Sequence, residues 1–323
     1  MTTTRTQHLW AVIGMVPVTL VWGCSFAAMK VAIQTGISVG AMLALRASVG
    51  ALILGAFLLV YRPRIDRQSL QDGLWLGFVA IIIFWLQADG LRFTSTSKSG
   101  FITGLYVLFT PLVSLLFRDR LRLSHAMAAI LATLGLYMLV HVPGAPMGGW
   151  NRGDSETLIC AVGCGFQIVL TAHFSRRSHA LVLAFVQIAA LAVASWILAV
   201  AIPSHPLADG TRLGGLGGTL RILATPHAWA SILYLGALAT ALAFYLMSRL
   251  QAHLGATEAA ILYSLEPVFA AALAVSGWIP GICERLTLFQ IAGGIIILFS
   301  MLLAELGPRF FRTTKLESET AIG

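Results

Sequence analysis

Trp22-Gly23-Cys24-Ser25-Phe26, near the start of the chain, and Val162-Gly163-Cys164-Gly165-Phe166, at its middle, are one small motif written twice, each time inside an apolar stretch. The second half of the sequence repeats the first. Internal duplication in a chain of apolar stretches is how many carriers of small solutes are built, with the site near the bilayer midplane where the repeats meet.

Ten such stretches extend outward from the two copies, at 9–33, 41–60, 74–91, 99–117 and 124–142 in the first half, then 157–174, 180–202, 229–248, 257–278 and 286–306 in the second. Each approaches the roughly 20 residues that cross a hydrocarbon core. Composition agrees: 58% hydrophobic and 11% charged residues, with mean hydropathy +0.86, leave too little polar surface for a water-soluble chain.

The net charge of +8 does not point to nucleic acid, because the basic residues are scattered singly in short loops and form no stripe interleaved with aromatics. They read as topology signals. Thirteen fall on one side: Arg5, Arg62, Arg64, Arg67, Arg118, Arg120, Arg122, Arg176, Arg177, Arg249, Arg309, Arg312 and Lys315. Six fall on the other, Arg92, Lys98, Arg152, Arg212, Arg221 and Arg285, while Lys30 and Arg46 lie within spans. That excess in short loops places both termini in the cytoplasm.

An odd number of spans in each half forces the two copies to insert with opposite orientation. The expected fold is all-α and integral to the membrane: ten transmembrane helices as a five-plus-five inverted repeat, in a bacterial-type cell (inner) membrane. The first repeat spans 1–143, a connecting loop 144–156, the second repeat 157–306 and a cytoplasmic tail 307–323. The longest loop, 203–227, reads as a surface connection on the outside.

The apolar run after Arg5 is longer than a signal-peptide core, and bulky Trp22 argues against lipoprotein processing at Cys24. Cys24, Cys160 and Cys164 read as small buried residues and Cys283 as a lone outer-loop thiol. Neither they nor the dispersed histidines have metal-ligand spacing, so no metal, cofactor or enzyme chemistry is expected.

Several stretches carry a family likeness. They are Trp22-Gly23 through Lys30, Arg46 opening the second span, and Gly90-Leu91-Arg92-Phe93-Thr94-Ser95 running into Phe101-Ile102-Thr103-Gly104-Leu105-Tyr106. Later come Glu266-Pro267-Val268, Glu284-Arg285-Leu286 and Gly293-Gly294. In order and spacing they resemble the drug/metabolite transporter superfamily, EamA type, over nearly the whole chain. The resemblance implies a ten-helix inverted-repeat carrier, often an exporter of amino acids or related metabolites, with a central cavity formed by both halves. One stretch departs from the family pattern: Arg118-Asp119-Arg120-Leu121 stands where an acidic Glu-Arg-Leu turn is frequent.

Polar groups that lipid does not tolerate give an independent reading. Glu266 lies about nine residues, or ~13 Å, into its span and so near the midplane. A carboxylate there costs on the order of 2.5–3.5 kcal/mol on insertion scales, so it must face a cavity or a partner. It is the candidate for exchanging a coupling proton, and a fixed structural contact is the other reading. Lys30, Arg46 and Asp89 fall in the outer thirds of their spans and are expected to form one polar cluster, with Asp89 bridged to either cation. An outward gate or a basic site for a substrate carboxylate is the alternative there.

Pro111 and Pro267 sit late in repeat-related spans and should free the carbonyls of Val107 and Tyr263, lining a wet cavity or making a packing kink. Ser99, Thr103, Tyr106 and Thr110 recur on one helix face. With Tyr263, Ser264, Trp22, Gln87, Gln167, Gln187 and Tyr245 they give the candidate cavity lining, helix–helix hydrogen bonds being the plainer role. Gly23, Gly163, Gly165, Gly293 and Gly294 are expected to let helices approach closely.

The expected partners are the bilayer and a small-molecule substrate, without nucleic acid; a homo-oligomer is left open. Efflux of lipophilic or cationic drugs is the competing transport reading, and a non-transporting membrane scaffold the reading from another class.

Overall fold

A computed structural model describes residues 5–117, 123–140, 149–201, 226–279, 281–300 and 302–303. The expected turn at 118–121 and the tail at 307–323 lie outside these, as do residues 203–225 of the expected outer loop and 144–148 of the connecting loop. The described residues form helices and turns without strands.

The helices are α1 (Arg5–Gln34), α2 (Val39–Tyr61), α3 (Arg67–Gly90), α4 (Thr96–Phe117), α5 (Leu123–Val140), α6 (Arg152–Phe174), α7 (Ala180–Ala201) and α8 (Ala228–His253). A broken α9 (Ala256–Tyr263 and Glu266–Ser276) and α10 (Leu288–Ser300) follow. Among the described residues seven helices are long and apolar enough to cross a membrane: α1 to α4 and α6 to α8. The outward-turned side chains are those of a lipid-facing surface, with Leu52, Leu59, Trp75, Ile130, Val200 and Leu288 all exposed.

Polar caps set the helix starts. Ser38 accepts from the Ala41 amide at 3.2 Å and Asp66 from the Ser69 amide at 2.6 Å. The latter bond holds the Asp66 carboxyl below the usual carboxylate range. Asn151 and Asp154 form a reciprocal capping box, so α6 begins at Arg152, inside the segment expected to connect the repeats.

The repeated motif has a physical role in packing. A side chain at Gly23 on α1 would strike Phe269 Cβ at 2.6 Å and the Glu266 carbonyl at 2.8 Å on α9; one at Gly165 on α6 would meet Phe109 at 3.1 Å on α4. Each copy thus seats its helix against a helix of the other half. The same interleaving holds throughout: α2 and α3 pack most extensively on α6 and α7, while α9 packs between α1 and α4.

The prolines act differently from expectation. Helix α4 breaks at Leu105 and continues through Pro111 to Ser114. Helix α9 breaks at Ser264–Leu265, and Pro267 falls in the first turn of the new helix, where no amide proton is needed.

Candidate functional site

Both helix breaks deliver a polar side chain to the middle of the bundle. Tyr106 opens the second piece of α4 and Glu266 the second piece of α9, and the Tyr106 hydroxyl donates to Glu266 Oε2 at 3.4 Å. Tyr263, one turn before Glu266, stands edge-on to Tyr106 with ring centroids 6.4 Å apart and lies 5.4 Å from Trp22. Phe244 closes the wall, 5.6 Å from Trp22 and 5.7 Å from Phe84.

The wall is fixed from behind by α8, which is π-wound over Tyr234–Leu242. The Trp22 indole donates to the Ala239 carbonyl at 3.0 Å, and the Tyr234 hydroxyl to the Val21 carbonyl at 2.8 Å. A π-wound stretch displaces carbonyls from the regular ladder and presents them to neighbours. Thr240, on the same stretch, accepts from Arg46 Nε at 3.2 Å and Nη2 at 3.1 Å, with the Arg46 guanidinium 4.5 Å above the Phe84 ring.

These groups surround a cavity of about 80 Å³. Of the residues singled out in the sequence, Trp22, Gln87, Thr103, Tyr106, Gln167, Tyr263, Glu266 and Arg46 border it, drawn from six helices of both halves. Thr103 Oγ1 and Gln167 Oε1 are buried there without a hydrogen-bond partner among the described residues. Polar atoms left so in an apolar bundle are costly unless a guest or water meets them.

Other expected lining residues point elsewhere. Thr110 donates back to the Tyr106 carbonyl at 2.8 Å. Ser99 and Ser264 are buried away from the cavity. Gln187 accepts from Gln167 at 3.0 Å, behind the wall. Tyr245 borders a separate groove between α2, α7 and α8 and accepts from Arg249 at 3.0 Å.

The expected cluster of Lys30, Arg46 and Asp89 does not form. Asp89 pairs with Arg92 at 2.8 Å and Arg152 at 2.7 Å, because the end of α3 turns it toward the start of α6. Lys30 caps the carbonyls of Leu91 and Thr94 at 2.7 and 2.9 Å. Arg46 lies deeper, at the cavity.

Ser25, Phe84, Cys164, Phe244 and Met247 line the cavity and were not singled out for it. Helical spacing offers a signal for some: Ser25 follows Trp22 by three, Phe84 precedes Gln87 by three, and Cys164 precedes Gln167 by three. Phe244 and Met247 carry none, being ordinary apolar residues of a span.

Among the described residues no group of three His, Cys, Asp or Glu side chains is placed to hold a metal ion. The fold and site together define a multi-pass, all-α membrane protein in which helices of two repeats border a shared cavity.

The chain belongs to the EamA-like transporter family, whose model matches it twice, over residues 9–141 and 151–306. It is a transporter of small molecules and not an enzyme. An uncharacterized transporter of Archaeoglobus fulgidus is 29% identical over 301 residues, covering 93% of this chain and 87% of that protein. A solved crystal structure aligns with 95% of this chain and 99% of its own, with TM-score 0.63 and 17% identity, a likeness of fold alone.

Proposed function

We propose that this protein is a secondary transporter that exports amino acids or related small metabolites by alternating access, with Glu266 as the group that exchanges a coupling proton. The observation that carries the reading is the cavity itself: a carboxylate and neutral hydrogen-bonding groups among aromatic walls, built by helices of both repeats. Such a site fits a small polar or amphipathic solute.

In this reading α5, the broken α9 and α10 complete ten spans, arranged as a five-plus-five inverted repeat with a first repeat to residue 143 and a second from 157 to 306. Both termini lie in the cytoplasm of a bacterial-type cell. Trp22, Gln87, Thr103, Tyr106, Gln167 and Tyr263 contact the solute; Lys30 and Asp89 hold the outer end shut.

A second reading, efflux of lipophilic cations, draws on the five aromatic rings that line the cavity with Glu266, a combination that receives alkylammonium groups well. Uptake and release of a broad metabolite set by proteoliposomes, with and without a pH gradient, separates the cases. Exchange of amino acids accelerated by the gradient supports the first reading; exchange of quaternary ammonium dyes alone supports the second. Movement of no solute by folded protein overturns both in favour of a non-transporting scaffold.

A further inference from the structure

The cavity's second charged group has no counter-ion. Arg46 is 1% exposed, yet none of the ion pairs among the described residues involves it. Its guanidinium carries five N–H donors. Nε and Nη2 share the single Thr240 hydroxyl oxygen, and Nη1 faces only the Met29 thioether sulfur at 3.4 Å, a weak acceptor. Two donors are left over at the edge of the cavity.

We propose that Arg46 is the anion subsite of this cavity and receives a carboxylate of the carried solute.

Three features support the assignment. A buried cation is costly to hold without a counter-charge, and a brace between helices would be cheaper as a neutral residue. A guest that brings the missing negative charge relieves that cost only when it is bound. Next, the guanidinium is held for a planar ligand: Phe84 covers one face at 4.5 Å, and Thr240 pins one side through two nitrogens. A fixed planar fork recognises carboxylates in a way a lysine does not.

The local backbone is also unusual at this point. A side chain at Gly236, in the π-wound stretch, would fall 2.8 Å from the Arg46 carbonyl, so α2 and α8 touch where Arg46 leaves the helix. The remaining polar lining is complementary: Glu266 and the free Gln167 Oε1 accept hydrogen bonds, as an ammonium group needs. The cavity therefore offers both spare donors and spare acceptors, and selects solutes that carry a carboxylate together with an amino group.

This rests on the reading of the cavity as the solute site, and the test separates the two. Full-length protein in liposomes is offered probes that share one side chain: phenylalanine, phenylalaninamide, phenethylamine and 3-phenylpropionate, with the matching leucine series. Wild type should prefer the free acid over the amide and the decarboxylated amine by about tenfold or more, the worth of a charge-assisted hydrogen bond. Arg46→Gln should lose that preference while still exchanging the amide, and Arg46→Lys should restore part of it.

Folding is checked by a monodisperse elution profile and helical circular dichroism. Should Arg46→Gln not fold, the Arg46→Lys comparison decides, because it keeps the charge and removes the fork. Full selectivity in the folded variant, or a wild type indifferent to the carboxylate, overturns the anion subsite and leaves the transport reading standing. A wild type that moves no solute of either series or of the broader metabolite set overturns both.

Discussion

Glu266 meets a single donor among the described residues, the Tyr106 hydroxyl, and no cation within ion-pair distance. A carboxyl so placed is free to change protonation as the cavity changes access, whereas a carboxylate locked to an arginine is not. Glu266→Gln should therefore leave the protein folded and exchange measurable while removing acceleration by an imposed pH gradient. Reduced yield with unchanged gradient dependence in the surviving protein would reject the coupling role. Tyr106, Glu266, Trp22 and Thr103 were legible in the sequence because polar or amphipathic groups stand out in a lipid-compatible chain. Phe244 and Met247 were not, since an apolar residue facing a cavity reads the same as one facing lipid. Asp89 was misassigned for another reason: its partners, Arg92 and Arg152, are chosen by where α3 ends and α6 begins, which polarity along the chain does not encode.

At the scale of the helix, close approach carries more of the architecture than proline does. Gly23 lets α1 press on the break in α9, so Gly23→Ala should lower stability in detergent by about 1–3 kcal/mol, as overpacking does. Gly55 faces only the Phe185 ring edge at 3.3 Å, and Gly55→Ala should be neutral or slightly stabilising through its helix preference. Equal effects in a thermal unfolding comparison would refute the account. Asp154 ties three elements together: it caps α6, pairs with Lys98 at 2.6 Å and accepts from Thr94 at 2.7 Å. Lys98 also donates to the Gly149 carbonyl. Asp154→Ala strands a half-buried ammonium, at a cost of about 3–5 kcal/mol. Differential scanning fluorimetry would show this as a far larger loss than for Asp66→Ala, whose carboxylate is fully exposed.

For the whole molecule the decisive property is sidedness. Cys283 is exposed in the segment between α9 and α10, which the proposed topology puts outside. An impermeant maleimide should label it in intact cells, with Cys283→Ser as the blank, whereas Arg64→Cys in that background should react only after permeabilisation. Reversed accessibility would turn the orientation over. The duplication and the apolar stretches were readable from the sequence because hydropathy at bilayer length is a strong signal. How the repeats fit together was not. The structure interleaves them, with α3 tied to the second half at both ends through Asp72–Arg177 at 2.6 Å and Asp89–Arg152 at 2.7 Å. Any moving body is accordingly a group of helices drawn from both repeats.

That interleaving decides which partners are still missing while the protein is being made. When the ribosome has released only the first five helices, Arg46 is already in the bilayer, but Thr240, which will hold it, lies 194 residues farther along. Lys98 waits in the same way for Asp154. The first half enters the membrane with its polar faces unmatched and must be sheltered until the second half arrives to cover them.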